Sequence, residues 1–260
     1  MAKPSASEIK TNIQAQDAAV WNEASERPAG LDKFEDDLAK AIAAAWSDVE
    51  GGLAIPTIPV SGGTSGVGGP LAGGIASLSP GSLTSSVSFT VIANKFATTF
   101  PDGATEGVLA LVDAIANGIG QKFALWAPGY SATLVAAGGT CAWIAPAPPA
   151  NPTGTPGGWS GGSVTAFPIA GGSSSGDSGL TANSLEAAIG AAANPGKLRQ
   201  NNNALQPGLA ALIKAVAAGF ATTWIQWKSK TKISGGNGSG TAAPPLGAIT
   251  TGAVASPTIS

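Results

Sequence analysis

Histidine is absent from this 260-residue chain, and cysteine, methionine and tyrosine each occur once. Without histidine, most hydrolase triads, the usual zinc sites and the commonest general base near neutral pH are ruled out. The lone Cys141 has no second thiol to pair with, so stapling by internal disulfides is excluded, and a small buried hydrophobe beside Ala142 and Trp143 is its expected role. Charge is scarce as well. Asp, Glu, Lys and Arg make up 11% of residues with a formal net charge of -2, which provides no global field for nucleic acid or an anionic membrane surface.

The charges that exist avoid long tracts. Residues 51–94, 123–176 and 233–260 contain no Asp, Glu, Lys or Arg. None of these tracts reads as a membrane span, because Gly and Pro interrupt each before about twenty apolar residues accumulate. Nor do they have the high charge and low hydrophobicity of solvated linkers. Such neutral, Gly-rich, Val/Ile/Trp-dotted stretches suit close burial against other backbone. The opening MAKPSASEIKTNIQ lacks the apolar core of a secretory signal, so synthesis in the cytoplasm is the expectation and membrane insertion is not.

What the chain has in quantity is glycine, proline and small apolar residues: 37 Gly, 19 Pro and 43% hydrophobic residues. A core can form, yet much of the chain must be irregular. Within this background one pattern recurs. Residues 38–46 read LAKAIAAAW, 111–119 read LVDAIANGI and 212–220 read LIKAVAAGF, an internal repeat of Leu, any residue, Lys or Asp, Ala, Ile or Val, Ala, two small residues and a bulky apolar one.

Each nine-residue block sits in a longer stripe of helical period. Leu31, Phe34, Leu38, Ile42, Ala45, Trp46 and Val49 step by three and four, as do Val108, Leu111, Ile115, Ile119, Phe123 and Trp126, and Leu205, Leu209, Leu212, Val216, Phe220, Trp224 and Trp227. Three amphipathic helices are predicted. Weaker helical segments precede them at 5–21, 84–99 and 181–193, with Ser5, Thr84 and Thr181 as N-caps and Pro/Gly turns in between. The unit is thus a helical hairpin followed by an uncharged arm, and the arms from Ser61 (SGGTSGVGGPLAGG) and Ser234 (SGGNGSGTAAPPLG) resemble each other. The expected fold is mainly α: three repeated αα-hairpin modules, 1–80, 81–178 and 179–260, forming a helical bundle, with long Gly/Pro-rich arms and a few short strands such as 132–136 and 163–169.

Candidate chemistry is thin. Glu35, Asp36 and Asp37 fall early in the first long helix, where acids favour the helix dipole and solvent. Asp113 and Lys214 share the repeat position of Lys40, which suits pairing between modules better than catalysis. SGGTSGVGGP lacks the Gly-Lys-Ser/Thr ending of a phosphate loop. The most pointed feature is WIQWKSKTK, in which Trp224, Trp227, Lys228, Lys230 and Lys232 could stack bases and hold phosphates; packing of the two Trp and cations at a helix C-terminus accounts for the same residues.

No catalytic, cofactor or metal site is expected, and nucleic acid is not an expected partner. The functional expectation is a non-enzymatic structural subunit of a large assembly, a tailed-bacteriophage virion (head, neck or tail) or related contractile particle. Its neutral arms would lock it to further copies and to other particle proteins, with Trp143, Trp159 and the 224–232 run as candidate interface. The alternative expectation is a binding or adhesion module that turns its Gly/Pro/Trp loops to a receptor or glycan.

Overall fold

A computed structural model describes residues 3–21, 30–55, 57–64, 70–78, 83–99, 105–141, 157–193, 198, 207–243, 248–255 and 257–260. It is mostly helical with antiparallel strands. The three periodic stripes, apart from Leu205, which lies outside the described residues, are long helices, α3 (Leu31–Gly52), α5 (Glu106–Gly129) and α7 (Pro207–Lys230), and short helices precede them: α1 (Ala6–Gln14) and α2 (Asp17–Trp21), α4 (Ile92–Thr99), and α6 (Ala182–Ala192).

Of the three expected N-cap hydroxyls, only that of Ser5 caps its helix. Ser5 accepts from the Glu8 N–H while Glu8 accepts from the Ser5 N–H, a capping box that fixes the start of α1. Thr181 holds the N-cap position of α6, although its hydroxyl donates to the Ser178 carbonyl instead of capping. Thr84 is no cap. Residues Thr84–Ser85 form a two-residue strand, β4, and the helix begins later, through a 3-10 turn at Phe89–Val91. The cause is pairing: the exit of α3, β1 (Leu53–Ala54), needs a partner, and Leu53 and Ala54 face Ser85 and Thr84.

The helices touch in a closed cycle. α1 lies on α3, α3 on α4, α4 on α5, α5 on α6, α6 on α7, and α7 returns to α1. Large side chains from the long helices and from the Phe89–Val91 turn meet at the centre, where Trp46, Phe89, Phe123, Trp126, Phe220, Trp224 and Trp227 are all buried. Trp46 packs edge-on to Phe89 at 5.1 Å and Trp126 edge-on to Trp224 at 4.7 Å, the arrangement aromatic quadrupoles favour. Burial of this much aromatic surface is the main source of stability for the helical half.

The uncharged arms contain far more strand than expected. Beyond β1 and β4 lie β2 (Ile58–Thr64), β3 (Pro70–Leu78), β5 (Tyr130–Cys141), β6 (Gly157–Pro168), β7 (Ser173–Ser174), β8 (Lys232–Gly235), β9 (Asn237–Ala243), β10 (Ala248–Ala255) and β11 (Thr258–Ile259). All pairings are antiparallel, and the order β6, β9, β10, β2, β3, β5 closes on itself because β5 also pairs with β6. Six strands therefore form a ring, built from the hairpins β2–β3, β5–β6 and β9–β10. Gly235 and Gly236, at φ of 77° and 86°, break β8 from β9 so that both can follow β6, a conformation that glycine adopts without steric cost. Closure corrects the reading of the arms as largely irregular: their backbone groups find partners in one another.

Candidate functional site

The C-terminal end of α7 gathers the residues of the WIQWKSKTK run, and the fold divides them into two sets. Trp224 and Trp227 continue the apolar stripe into the core, stacked on each other at 4.8 Å, and both are 2% exposed. They offer no surface to a base or a partner. The Trp227 indole N–H donates to Glu50 Oε1 at 3.4 Å, so the last turn of α3 supplies a buried acceptor.

Two of the three lysines are tied to the chain's own carboxylates. Lys228 donates to Asp177 at 3.0 Å, and Lys230 reaches Glu8 at 3.4 Å. Lys232 opens β8 with its side chain exposed, while its backbone exchanges hydrogen bonds with Ser260 at 2.8 and 2.9 Å. Of the other candidate interface residues, Trp159 lies in β6 opposite Cys141 of β5 and Gly240 of β9. Trp143 lies outside the described residues.

Asp177 is the most connected polar residue of this region, and sequence inspection passed it over. It opens the 3-10 turn Asp177–Leu180 ahead of α6. Its carboxylate accepts from the Trp126 indole at 3.0 Å, the Ser174 N–H at 2.8 Å and Lys228. Burial works against its charge, but the Ser174 N–H, Lys228 and Trp126 together hold it below the ordinary aspartate range. Ser174 completes the knot by donating to the Trp126 carbonyl at 2.7 Å. Nearby, the Tyr130 hydroxyl donates to the Ile169 carbonyl at 3.0 Å, and burial pushes its phenol above the usual range. The cluster ties the ends of α5 and α7 to the start of α6.

The acidic trio of α3 splits as well. Asp36 is solvated in the expected manner and pairs with Lys40 and Lys10; the Lys40 hydrogen bond holds its carboxyl low against a small burial effect. Glu35 and Asp37 are instead buried, Glu35 accepting from Gln14 of α1 at 2.9 Å and Asp37 from Lys33 at 2.7 Å. They face α1 and the helix's own lysines because the cycle of helices wraps that face. Asp113 and Lys214 are exposed.

No group of three or more His, Cys, Asp or Glu side chains is placed to hold a metal among the described residues. SGGTSGVGGP joins β2 to β3, so no helix N-terminus follows it to receive a phosphate. A cleft of about 390 Å³ lies between the 83–88 segment and α5, lined by Ser and Thr hydroxyls with Leu83, Phe123 and Pro128. Helices α5 and α7 are long and apolar enough to cross a membrane by length and composition, and half or more of each apolar window is buried within the fold. No family model, curated protein or solved structure matches this chain.

Proposed function

We propose that the chain consists of three modules, 1–80, 81–178 and 179–260, each a helical hairpin with an uncharged arm, and that it serves as a non-enzymatic structural subunit of a large assembly. The setting we assign is a tailed-bacteriophage virion (head, neck or tail) or a related contractile particle, assembled from a chain made in the cytoplasm. Equivalent buried pairs support the modules. Ile9 and Ile13 in α1, Ile92 and Phe96 in α4, and Leu185 and Ile189 in α6 each stand four residues apart and face the long helices.

The observation that carries the structural role is the ring of neutral strands carried by the helices. An edge-free ring does not invite indiscriminate strand addition. Its uncharged residues can be covered by a neighbouring copy or another particle protein without the cost of desolvating ions. Joined to a helical body with a dense aromatic centre, it makes a rigid block with a face suited to burial.

The test is to tag the chain in cells that produce it and to fractionate the particles by sedimentation. The tag is expected in the particle fraction at fixed stoichiometry. Recovery only as a free single chain would defeat the proposal.

A further inference from the structure

We infer that this chain is a trimer joined into one polypeptide, closed on itself round a pseudo-threefold axis, and that its docking partner is a ring of identical subunits with threefold rotational symmetry, a hexamer included. Two sets of contacts recur once per module, and another recurs at two of the three module boundaries. The first is a hydrogen bond at the exit of each long helix: the Ser86 N–H donates to the Gly52 carbonyl at 3.2 Å, Ser175 to Gly129 at 3.4 Å and Ser260 to Lys232 at 2.9 Å. Each continues a two-residue strand pair, β4 on β1, β7 on β5 and β11 on β8, in the same register.

The placement of those short strands is decisive. β4 precedes the helices of the second module and β7 those of the third, whereas among the described residues no such strand precedes α1. Its counterpart is β11, at the other end of the chain. β11 therefore takes, at the exit of α7, the place that β4 takes at the exit of α3 and β7 at the exit of α5, as three equivalent joints require. Glu8 and Lys230 are paired across that joint, and Lys232 binds Ser260, so the start of α1 and β11 both meet the chain at the exit of α7.

The second set is the close crossing of helices between modules. A Cβ added to Gly118 of α5 would lie 2.7 to 2.8 Å from the Cα, N and Cγ1 of Ile189 in α6; added to Gly219 of α7 it would lie 2.7 Å from the same three atoms of Ile13 in α1. These glycines occupy one position of the repeat, and the third module boundary has Ala45 there, also buried. The third set is the strand ring, in which every hairpin pairs with the next: β3 with β5, β6 with β9 and β10 with β2. A body that repeats its contacts three times round an axis presents one surface three times over, which a partner with the same rotational symmetry can cover at once.

The architectural half stands apart from the particle assignment, and the partner half rests on it. A circular permutant tests the first: it begins at Gly81, runs to Ser260, continues directly into Met1 and ends at Pro80. It is expected to keep the parent's helical circular dichroism and to melt cooperatively within about 4 °C of it; loss of the cooperative transition overturns the closed ring. In the uncut chain, Asn12→Cys with Gln226→Cys, in a Cys141→Ser background, joins side chains whose amides lie 3.0 Å apart. A short dithiol-reactive cross-linker is expected to close within one chain, and closure only between chains overturns the inference whatever the permutant does. For the partner, a tag on Ser260 located by electron microscopy of the particle is expected once on each threefold or sixfold axis. Three tags round one axis overturn it, whereas absence from particles bears on the proposed function alone.

Discussion

Gly219 and Ile13 are in contact through their backbones: a Cβ built on the glycine would sit 2.7 Å from the Ile13 Cα, closer than carbon atoms pack. Gly219→Ala must therefore push α1 away from α7. Overpacking of this kind costs about 1–3 kcal/mol, and the better helix propensity of alanine returns up to about 1 kcal/mol. A net loss is expected for Gly219→Ala and the same for Gly118→Ala. Gly51, in α3 with nothing within 4 Å of an added Cβ, supplies the contrast: Gly51→Ala is expected to stabilise. Urea denaturation of the three variants measures the difference, and a neutral Gly219→Ala would refute the close crossing.

Trp46 is the hub of the helical half, with ring centroids of Phe89, Phe220, Trp224 and Trp227 within 5.1 to 6.0 Å. Trp46→Ala removes contacts to α7 and the α4 entry turn at once. A cost of about 3–5 kcal/mol is expected, which lowers the melting midpoint by roughly 10 °C and removes much of the near-UV circular dichroism. Trp46→Phe keeps part of the packing and should lose less than half as much.

Much of the helical half was legible because burial on one face writes itself into local spacing. The stripe from Leu31 to Val49 became Leu31–Gly52, and that from Val108 to Trp126 became Glu106–Gly129. Of the strands, only the runs at 132–136 and 163–169 were legible, and they fall on β5 (Tyr130–Cys141) and β6 (Gly157–Pro168); the rest were hidden. Segments such as SGGT in β2 and AAGGTC in β5 lack the β-branched alternation that marks a half-buried strand, and the closure of the ring joins strands far apart in sequence, which no local window contains. Asp177 was invisible for a related reason. Two of its partners, Trp126 and Lys228, are each 51 residues away in sequence, and only folding brings them to the one acid that ends a long neutral tract.

Asp177 also makes a pH prediction with a definite sign. Its folded-state pKa lies below the ordinary value of 3.8, so its contribution to stability is complete above that value and is lost as pH falls through the lower folded value. Asp177→Asn keeps the shape and forfeits the charge that Lys228, Ser174 and Trp126 address. With the carboxylate 35% exposed, a cost of about 1 kcal/mol is expected at neutral pH. Glu8 and Asp36 are lowered too, hence the readout is the difference between wild type and variant. That gap should be constant above pH 4 and narrow below it; a gap that widens in acid would contradict the geometry.

The lysines at the end of α7 separate a packing role from a nucleic-acid role. Lys228 is 21% exposed and bonded to Asp177 at 3.0 Å, Lys230 is 54% exposed and paired more loosely with Glu8, and Lys232 is exposed. If their work is structural, stability should fall in that order: about 1 kcal/mol for Lys228→Ala, under roughly 0.5 kcal/mol for Lys230→Ala and nothing measurable for Lys232→Ala. A phosphate-binding run behaves otherwise, because each lysine removed releases fewer counterions and weakens binding by a similar factor whatever its neighbours. Urea denaturation and a mobility shift with single-stranded DNA at physiological salt distinguish the two. The graded loss of stability with no DNA shift is the expected result, since Trp224 and Trp227, the only indoles beside these lysines in the run, are buried in the core and have no face left for a base.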